Sequence, residues 1–230
     1  MKAMILAAGR GERMRPLTDQ TPKPLLSVHG KPLIQRHIER LVEAGITELV
    51  INLAHLGEQI SDYLGDGQRF GASIHYSWEP TALETAGGIR KALPLLGDQP
   101  FLAVNGDIFT DYPFSRLLNE VNTTSLAHLV LVPNPAHNPE GDFYLTDTGK
   151  IVSTNPSLTT TARHTFAGIA RYHPRLFKDL EEAPLPLAPL LRQWANQGWL
   201  SGELYHGQWT DVGTPERLAA LNTDVGYFRI

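Results

Sequence analysis

The sequence has 230 residues, 42% of them hydrophobic and 19% charged, and a net charge of −4 from 20 Lys and Arg against 24 Asp and Glu. A chain of that length and balance buries roughly 70–75% of its unfolded surface and holds a core without staples. It has no cysteine, which excludes disulfides, thiolate metal sites, iron–sulfur clusters and cysteine nucleophiles and fits a reducing compartment.

Ala3 to Ala7 is a short, wholly apolar run, the pattern of a strand buried on both faces of a parallel sheet. A loop rich in Gly, Arg, Thr and Pro follows. Pro32 then opens a helix with Leu33, Ile34, Ile38, Leu41 and Val42 on one face and Arg36, Glu39, Arg40 and Glu43 on the other, stopped by Gly45. Leu49 to Leu53 reads as a second buried strand, and Gln59 to Leu64 as a short helix ended by Gly65. Ile74, Tyr76 and Trp78 alternate with Ser73, His75 and Ser77 at strand period. Gly87 to Leu93 is helical and Phe101 to Val104 is another buried strand. This rhythm predicts a doubly wound sheet.

After about Pro113 the pattern changes. Leu126 to Val132 and Thr165 to Tyr172 read as strands, and Phe143 to Leu145 with Ile151 to Ser153 as a hairpin around Asp147-Thr148-Gly149. Helices are expected over Arg175 to Leu180 and Leu187 to Gln197, then short strands over Trp199 to Tyr205 and Gln208 to Thr210. Thr214-Pro215 has the chemistry of a helix start before Glu216 to Leu221. The expected fold is α/β with a mostly parallel central sheet, one domain over 1–230 in two halves, about 1–112 and about 113–230. No apolar stretch approaches the roughly 20 residues of a membrane span, and no Lys/Arg run marks a nucleic-acid surface. A cytoplasmic protein is expected, with neither membrane nor nucleic acid as partner; the oligomeric state is left open, a monomer included.

Four segments carry chemistry. The first loop, Leu6-Ala7-Ala8-Gly9-Arg10-Gly11-Glu12-Arg13-Met14-Arg15-Pro16-Leu17, leaves the carboxyl end of the first strand, where open parallel sheets bind ligands. Ala8, Gly9 and Gly11 leave backbone N–H groups free to approach phosphate oxygens, and three arginines add charge. The loop lacks the Gly-Lys-Thr/Ser of a P-loop, and Met14 stands in place of the third glycine of a dinucleotide fingerprint. An ordinary surface loop with arginines has the same composition. In Pro22-Lys23-Pro24-Leu25 the flanking prolines restrain the backbone around Lys23, as a cation held over phosphates requires and as a rigid turn would also show. Asp107, in Asn105-Gly106-Asp107, follows a buried strand, and Asp211 follows a short one. Each is a turn or cap residue or, together, the oxygen donors of a Mg²⁺ site. Trp78, Trp194, Trp199 and Trp209 are expected in the core, and Glu79 is open either to a pyrimidine N–H or to solvent. A Walker lysine, a kinase loop set and a Gly-x-Ser-x-Gly elbow are all absent.

These blocks resemble, in order and over nearly the whole chain, the sugar-nucleotide pyrophosphorylases, nucleotidyltransferases that act on sugar 1-phosphates. The likeness rests on Leu6-Ala7-Ala8-Gly9-x-Gly11-x-Arg13-Met14-x-Pro16-Leu17-Thr18 with Pro22-Lys23-Pro24-Leu25, then Thr85-Ala86-Gly87-Gly88, Gly106-Asp107 and Trp209-x-Asp211-x-Gly213-Thr214. The resemblance implies a Rossmann-like fold with a smaller sugar-binding lobe, the first half holding the nucleotide and the second the sugar phosphate. It implies Ala8, Gly9, Gly11, Glu12, Arg13, Lys23 and Gly87 as nucleotide-binding residues, and Asn105, Glu140, Gly141 and Asn155 on the sugar phosphate. It further implies Asp107 and Asp211 on Mg²⁺, with Arg13, Lys23 and Asp107 as the catalytic set.

Within the family the likeness is to short uridylyltransferases that use UTP and N-acetylmuramate 1-phosphate in cell-wall recycling; no hexapeptide repeats follow the last block. Two departures stand out. Thr154-Asn155-Pro156 replaces a Glu-Lys-Pro common at the sugar phosphate, and Glu84 stands where Gly is common. Guanylyl transfer to mannose 1-phosphate is the rival activity within the family, and a non-catalytic sugar-nucleotide-binding homologue the rival from another functional class.

Overall fold

The apolar runs of the sequence become adjacent strands of one sheet. A computed structural model describes residues 1–118, 125–154 and 162–223. In the first half these form β1 (Ala3–Leu6), β2 (Ser27–Val28), β3 (Lys31–Pro32), α1 (Leu33–Glu43), β4 (Glu48–Leu53), α2 (Gly57–Leu64), β5 (Ser73–Trp78), α3 (Glu84–Leu96), β6 (Phe101–Asn105) and β7 (Ile108–Thr110). The second half supplies β8 (Ala127–Val132), β9 (Tyr144–Leu145), β10 (Ile151–Val152), β11 (Thr165–Tyr172), α4 (Leu187–Asn196), β12 (Leu200–Leu204), β13 (Trp209–Asp211) and α5 (Pro215–Thr223).

Seven strands make the central sheet in the order β12–β8–β11–β6–β1–β4–β5. Only β11 is reversed, running against both β6 and β8, while β1–β4, β1–β6, β4–β5 and β8–β12 are parallel. The doubly wound, mostly parallel α/β sheet is as expected. Period-2 alternation explains why both faces are buried. Ala3, Ile5, Leu49, Ile51, Leu102 and Val104 point to the layer of α1 and α2, whereas Met4, Val50, Phe101 and Ala103 point to α3 and α4. β1 has β4 on one side and β6 on the other, so the chain order switches direction there. Open sheets place their ligand crevice at such a switch, beyond the carboxyl strand ends.

Two expectations are corrected. The helix expected over Arg175 to Leu180 is a single 3-10 turn, Pro174–Leu176, whose Arg175 N–H donates to His173 Nδ1 at 3.2 Å. Phe177 is pulled into the core against Phe101, Tyr172 and Trp194 instead, which leaves no room for a continuing helix. Of the tryptophans, Trp194 is in the core, but Trp78 and Trp199 are 46% and 39% exposed. Trp78 ends the edge strand β5, where Ser77 takes the inward position and no further strand covers the outer side. Trp209 is half-buried and donates its Nε1–H to the Ala167 carbonyl at 2.9 Å.

Candidate active site

The first loop leaves β1 over the switch point and folds into short 3-10 turns at Glu12–Met14, Leu17–Asp19 and Lys23–Leu25. Gly11 adopts φ +70, and a Cβ there would lie 3.0 Å from Thr18 Cγ2 and 3.4 Å from Lys23 Cβ. A side chain there would be strained by the positive φ and would press on Thr18, which is why glycine suits the position. The Thr18 hydroxyl donates to the Gly11 carbonyl at 2.9 Å and closes the loop on itself. Lys23 is buried to 9% exposure, and its ammonium pairs with the Asp107 carboxylate.

Beneath the loop lies a polar chain that the sequence reading missed. Asn52, at the end of β4, accepts the Ala7 N–H at 2.9 Å and donates to Glu79 Oε1 at 2.8 Å. Glu79 Oε2 accepts the Leu83 N–H at 2.8 Å. Asn52 and Glu79 are 3% and 5% exposed, so Glu79 is a buried support rather than a solvent-exposed strand end. A polar residue closing the apolar run Leu49-Val50-Ile51 was the available signal for Asn52.

These elements enclose a cleft of about 380 Å³. Ala8, Gly9, Gly11, Lys23, Asn105 and Asp107 line it, together with Arg10, Asn52, Glu79, Glu84 and Thr85. Glu84 holds φ +57 at the start of α3; glycine takes that left-handed conformation without strain, and Glu84 bears it with its side chain exposed at the cleft. Arg10 is the arginine on the cleft wall, held 2.6 Å from Glu12 and 3.2 Å from His55 Nδ1. Arg13 is exposed, outside the lining, and makes no hydrogen bond or ion pair among the described residues. The Glu12 carboxylate is spent on Arg10 and Arg15. Gly87 lies away from the cleft: it is buried in α3, its N–H donates to the Leu185 carbonyl at 3.2 Å, and a Cβ on it would run into the Ala183 carbonyl.

Asp211 approaches from the second half. β13 pairs with β7 so that Asp211 faces Ile108, next to Asp107, and the Val212 N–H donates to the Asp107 carbonyl at 2.7 Å. Asp211 Oδ2 accepts from Arg217 Nη1 at 2.5 Å. His137 Nε2 lies 2.8 Å from Asp211 Oδ1 and 2.9 Å from Arg217 Nη1. Oδ1 is buried, and the ring nitrogen of His137 is its one neighbour within hydrogen-bond distance among the described residues. Two aspartates brought together on adjacent strands suit Mg²⁺, which takes one or two carboxylates from a protein and the rest of its shell from phosphate and water. Among the described residues no group of three or more His, Asp or Glu forms an all-protein cage.

The turn expected to meet the sugar is built from Asn138, Glu140, Gly141 and Asp142. The Asp142 carboxylate is turned inward, accepting the Phe166 N–H at 2.8 Å. The N–H of Gly141, which the resemblance places on the sugar phosphate, already donates to the Asn138 carbonyl at 3.2 Å, and Glu140 is exposed. Asn155 lies outside the described residues. Behind β7, His37 is 2% exposed, and its pKa is pushed down to about 4 by burial, against a hydrogen bond to the Ile108 backbone and the charge of Asp107.

The nucleotidyl transferase family model matches residues 2–226. The chain belongs to the nucleotidyl transferase family. It is 54% identical to the N-acetylmuramate alpha-1-phosphate uridylyltransferase of Neisseria meningitidis, over 100% of both chains. Identity to the UTP–glucose-1-phosphate uridylyltransferase of Synechocystis is 35%, over 66% of this chain and 43% of that one. Identity to a mannose-1-phosphate guanyltransferase of Hypocrea jecorina is 30%, over 94% of this chain and 62% of that one. A Bacillus anthracis protein solved in complex with sucrose superposes with a TM-score of 0.83 at 26% identity, covering 96% and 94% of the two chains. The fold and family expected from the sequence therefore hold. Among the described residues no helix is long and apolar enough to cross a membrane.

Proposed function

We propose that this nucleotidyltransferase transfers the uridylyl group of UTP to N-acetylmuramate 1-phosphate, giving UDP-N-acetylmuramate and pyrophosphate, as a cytoplasmic step of cell-wall recycling. The observation that carries the reading is the 54% identity to the Neisseria uridylyltransferase over the full length of both chains. The guanyltransferase likeness is 30% and reaches only 62% of that relative. Asp142 adds support: of the two acids in this turn, Glu140 and Asp142, which would repel the lactyl carboxylate of a muramyl sugar, Asp142 is turned inward.

In the reaction an oxygen of the sugar 1-phosphate attacks the α-phosphorus of UTP in line, the bond from that phosphorus to the bridging oxygen breaks, and pyrophosphate leaves. The nucleophile is already ionised, so no general base is needed; positioning and charge neutralisation do the work. The loop from Ala8 to Gly11 brings backbone N–H groups to the phosphates. Lys23 bridges the reacting phosphates, a triphosphate competing with Asp107 for its ammonium. Arg10 lies on the cleft wall; Arg13, exposed outside it and without a partner among the described residues, turns inward to meet the departing pyrophosphate. Asp107 and Asp211 would hold Mg²⁺, whose charge neutralises phosphate oxygens when it is bound. Asn105 lines the cleft; Glu140 accepts from a sugar hydroxyl, and Asn155 serves the sugar phosphate.

The test is pyrophosphate release measured across several nucleoside triphosphates and sugar 1-phosphates. UTP with N-acetylmuramate 1-phosphate is expected to give a higher kcat/KM than N-acetylglucosamine 1-phosphate or mannose 1-phosphate. Equal or better turnover of mannose 1-phosphate with GTP would refute the substrate assignment.

A further inference from the structure

We propose that Arg217 is the cation that binds the phosphate of the sugar 1-phosphate; the inference rests on the reading just given. A sugar 1-phosphate brings a dianion to the second half of the molecule, and a site that holds it next to UTP needs a cation there. The sequence offers only Asn155 in the segment where a lysine was expected. Arg116 is committed to Glu203, and Arg163 donates to the Asp142 carbonyl at 2.6 Å while lying over the Tyr144 ring.

Arg217 is placed differently. Its backbone N–H is capped by the Thr214 hydroxyl at 3.4 Å, and Leu218 and Leu221 of the same helix pack in the cluster that holds Met14 and Leu26, on either side of Lys23 in sequence. The side chain is 20% exposed. Its Nη1 is engaged by Asp211 Oδ2 and His137 Nε2, but no described residue accepts from Nη2 or Nε. Gly213 makes the approach feasible: a Cβ there would overlap Arg217 Nη2 and lie 2.9 Å from Asp211 Oδ2.

The two partners bracket the reaction geometry. Asp211 pairs through its backbone with Ile108, the residue after Asp107, and Asp107 lines the cleft. His137 belongs to the loop that runs into the Gly141 turn, through Asn138 N–H to Pro135 carbonyl at 2.9 Å and Gly141 N–H to Asn138 carbonyl. The phosphate that joins the sugar to the α-phosphorus must lie between those two places. A guanidinium with one nitrogen anchored and the others open presents its fork there, where a lysine offers only a point charge.

The alternative role is a brace that merely orients Asp211. Steady-state kinetics of R217Q and R217K, with Mn²⁺ binding to the UTP complex read by electron paramagnetic resonance, separate the two. R217Q is expected to raise KM for N-acetylmuramate 1-phosphate at least tenfold, with KM for UTP and the Mn²⁺ dissociation constant within about twofold of wild type. R217K recovers part of that loss because the charge is kept and the fork is not. Weakened Mn²⁺ and UTP binding with an unchanged KM for the sugar phosphate would overturn the proposal. If R217Q is folded but too slow for a KM, unchanged Mn²⁺ and UTP binding supports it and weakened binding overturns it. Wild-type enzyme that turns over a different sugar 1-phosphate refutes the substrate assignment alone, and the same split is then read on that sugar.

Discussion

Replacing Asn52 by leucine tests whether the polar chain under the first loop holds the cleft in shape. Leucine keeps the branched shape with bulkier methyl ends, so no cavity opens, and two buried groups lose their partner at once. The Ala7 N–H loses the Asn52 Oδ1 acceptor at 2.9 Å, and Glu79 Oε1 loses the Nδ2 donor at 2.8 Å. A buried amide left unsatisfied costs about 1–3 kcal/mol, and a buried carboxylate oxygen more. With Asn52 at 3% exposure and Glu79 at 5%, water gives little relief, and a total of about 3–5 kcal/mol is expected. For a chain of this size each kcal/mol moves Tm by about 2–4 °C, so Tm falls by roughly 6–20 °C. Urea unfolding gives the free energy directly. Combining N52L with E79M should recover part of the loss, since the double variant buries no unpaired charge. A fall of less than about 1 kcal/mol in N52L, or strict additivity of the pair, would contradict the role given to this chain.

Three further outcomes follow from the site. K23A is expected to lower kcat by about 10²–10³-fold, and R13A by less, each by more than it raises KM for the sugar phosphate; a rise in KM alone, seen in initial-rate kinetics, would remove either residue from the catalytic set. D107N should abolish turnover, and because it leaves the Lys23 ammonium without its carboxylate it should also cost about 1–2 kcal/mol of stability in urea titration; full wild-type turnover in excess EDTA would contradict the carboxylate pair as a metal site. His37, pushed down to about 4 by burial, binds its proton more weakly folded than unfolded, so its contribution is complete above pH 6.5 and is lost as pH falls from there toward about 4, a change of about 3 kcal/mol. Stability measured from pH 7 to 4 should therefore fall less steeply in H37Q than in wild type, and parallel curves would show that the imidazole is not buried neutral.

Most of the sheet was legible because each strand of the parallel core is a continuous apolar run and each helix an amphipathic one. That Gly11, Lys23 and Asp107 line the cleft was legible for a related reason: small residues, a proline-framed lysine and an acid after a buried strand are conspicuous against that pattern. Legibility failed where a residue's meaning depends on a distant partner. Asn52 reads as one polar residue at a strand end until β1 and β5 bring Ala7 and Glu79 to it. Arg217 and His137 lie 80 residues apart, and nothing local in either segment marks them as neighbours of Asp211. Gly87 misled because the helix carrying its motif faces the 183–185 segment at that position. Trp78 misled because alternation reports a period, not which face a neighbour covers.

The central claim is nucleotidyl transfer to N-acetylmuramate 1-phosphate. It is tested most directly by incubating the enzyme with Mg²⁺, that sugar phosphate and UTP labelled either at the α- or at the γ-phosphorus, and following the label. The account predicts that the α-label appears in UDP-N-acetylmuramate and the γ-label in pyrophosphate. Label from the γ-phosphorus in the sugar product, or no transfer of either label despite tight binding of the product nucleotide, would contradict it.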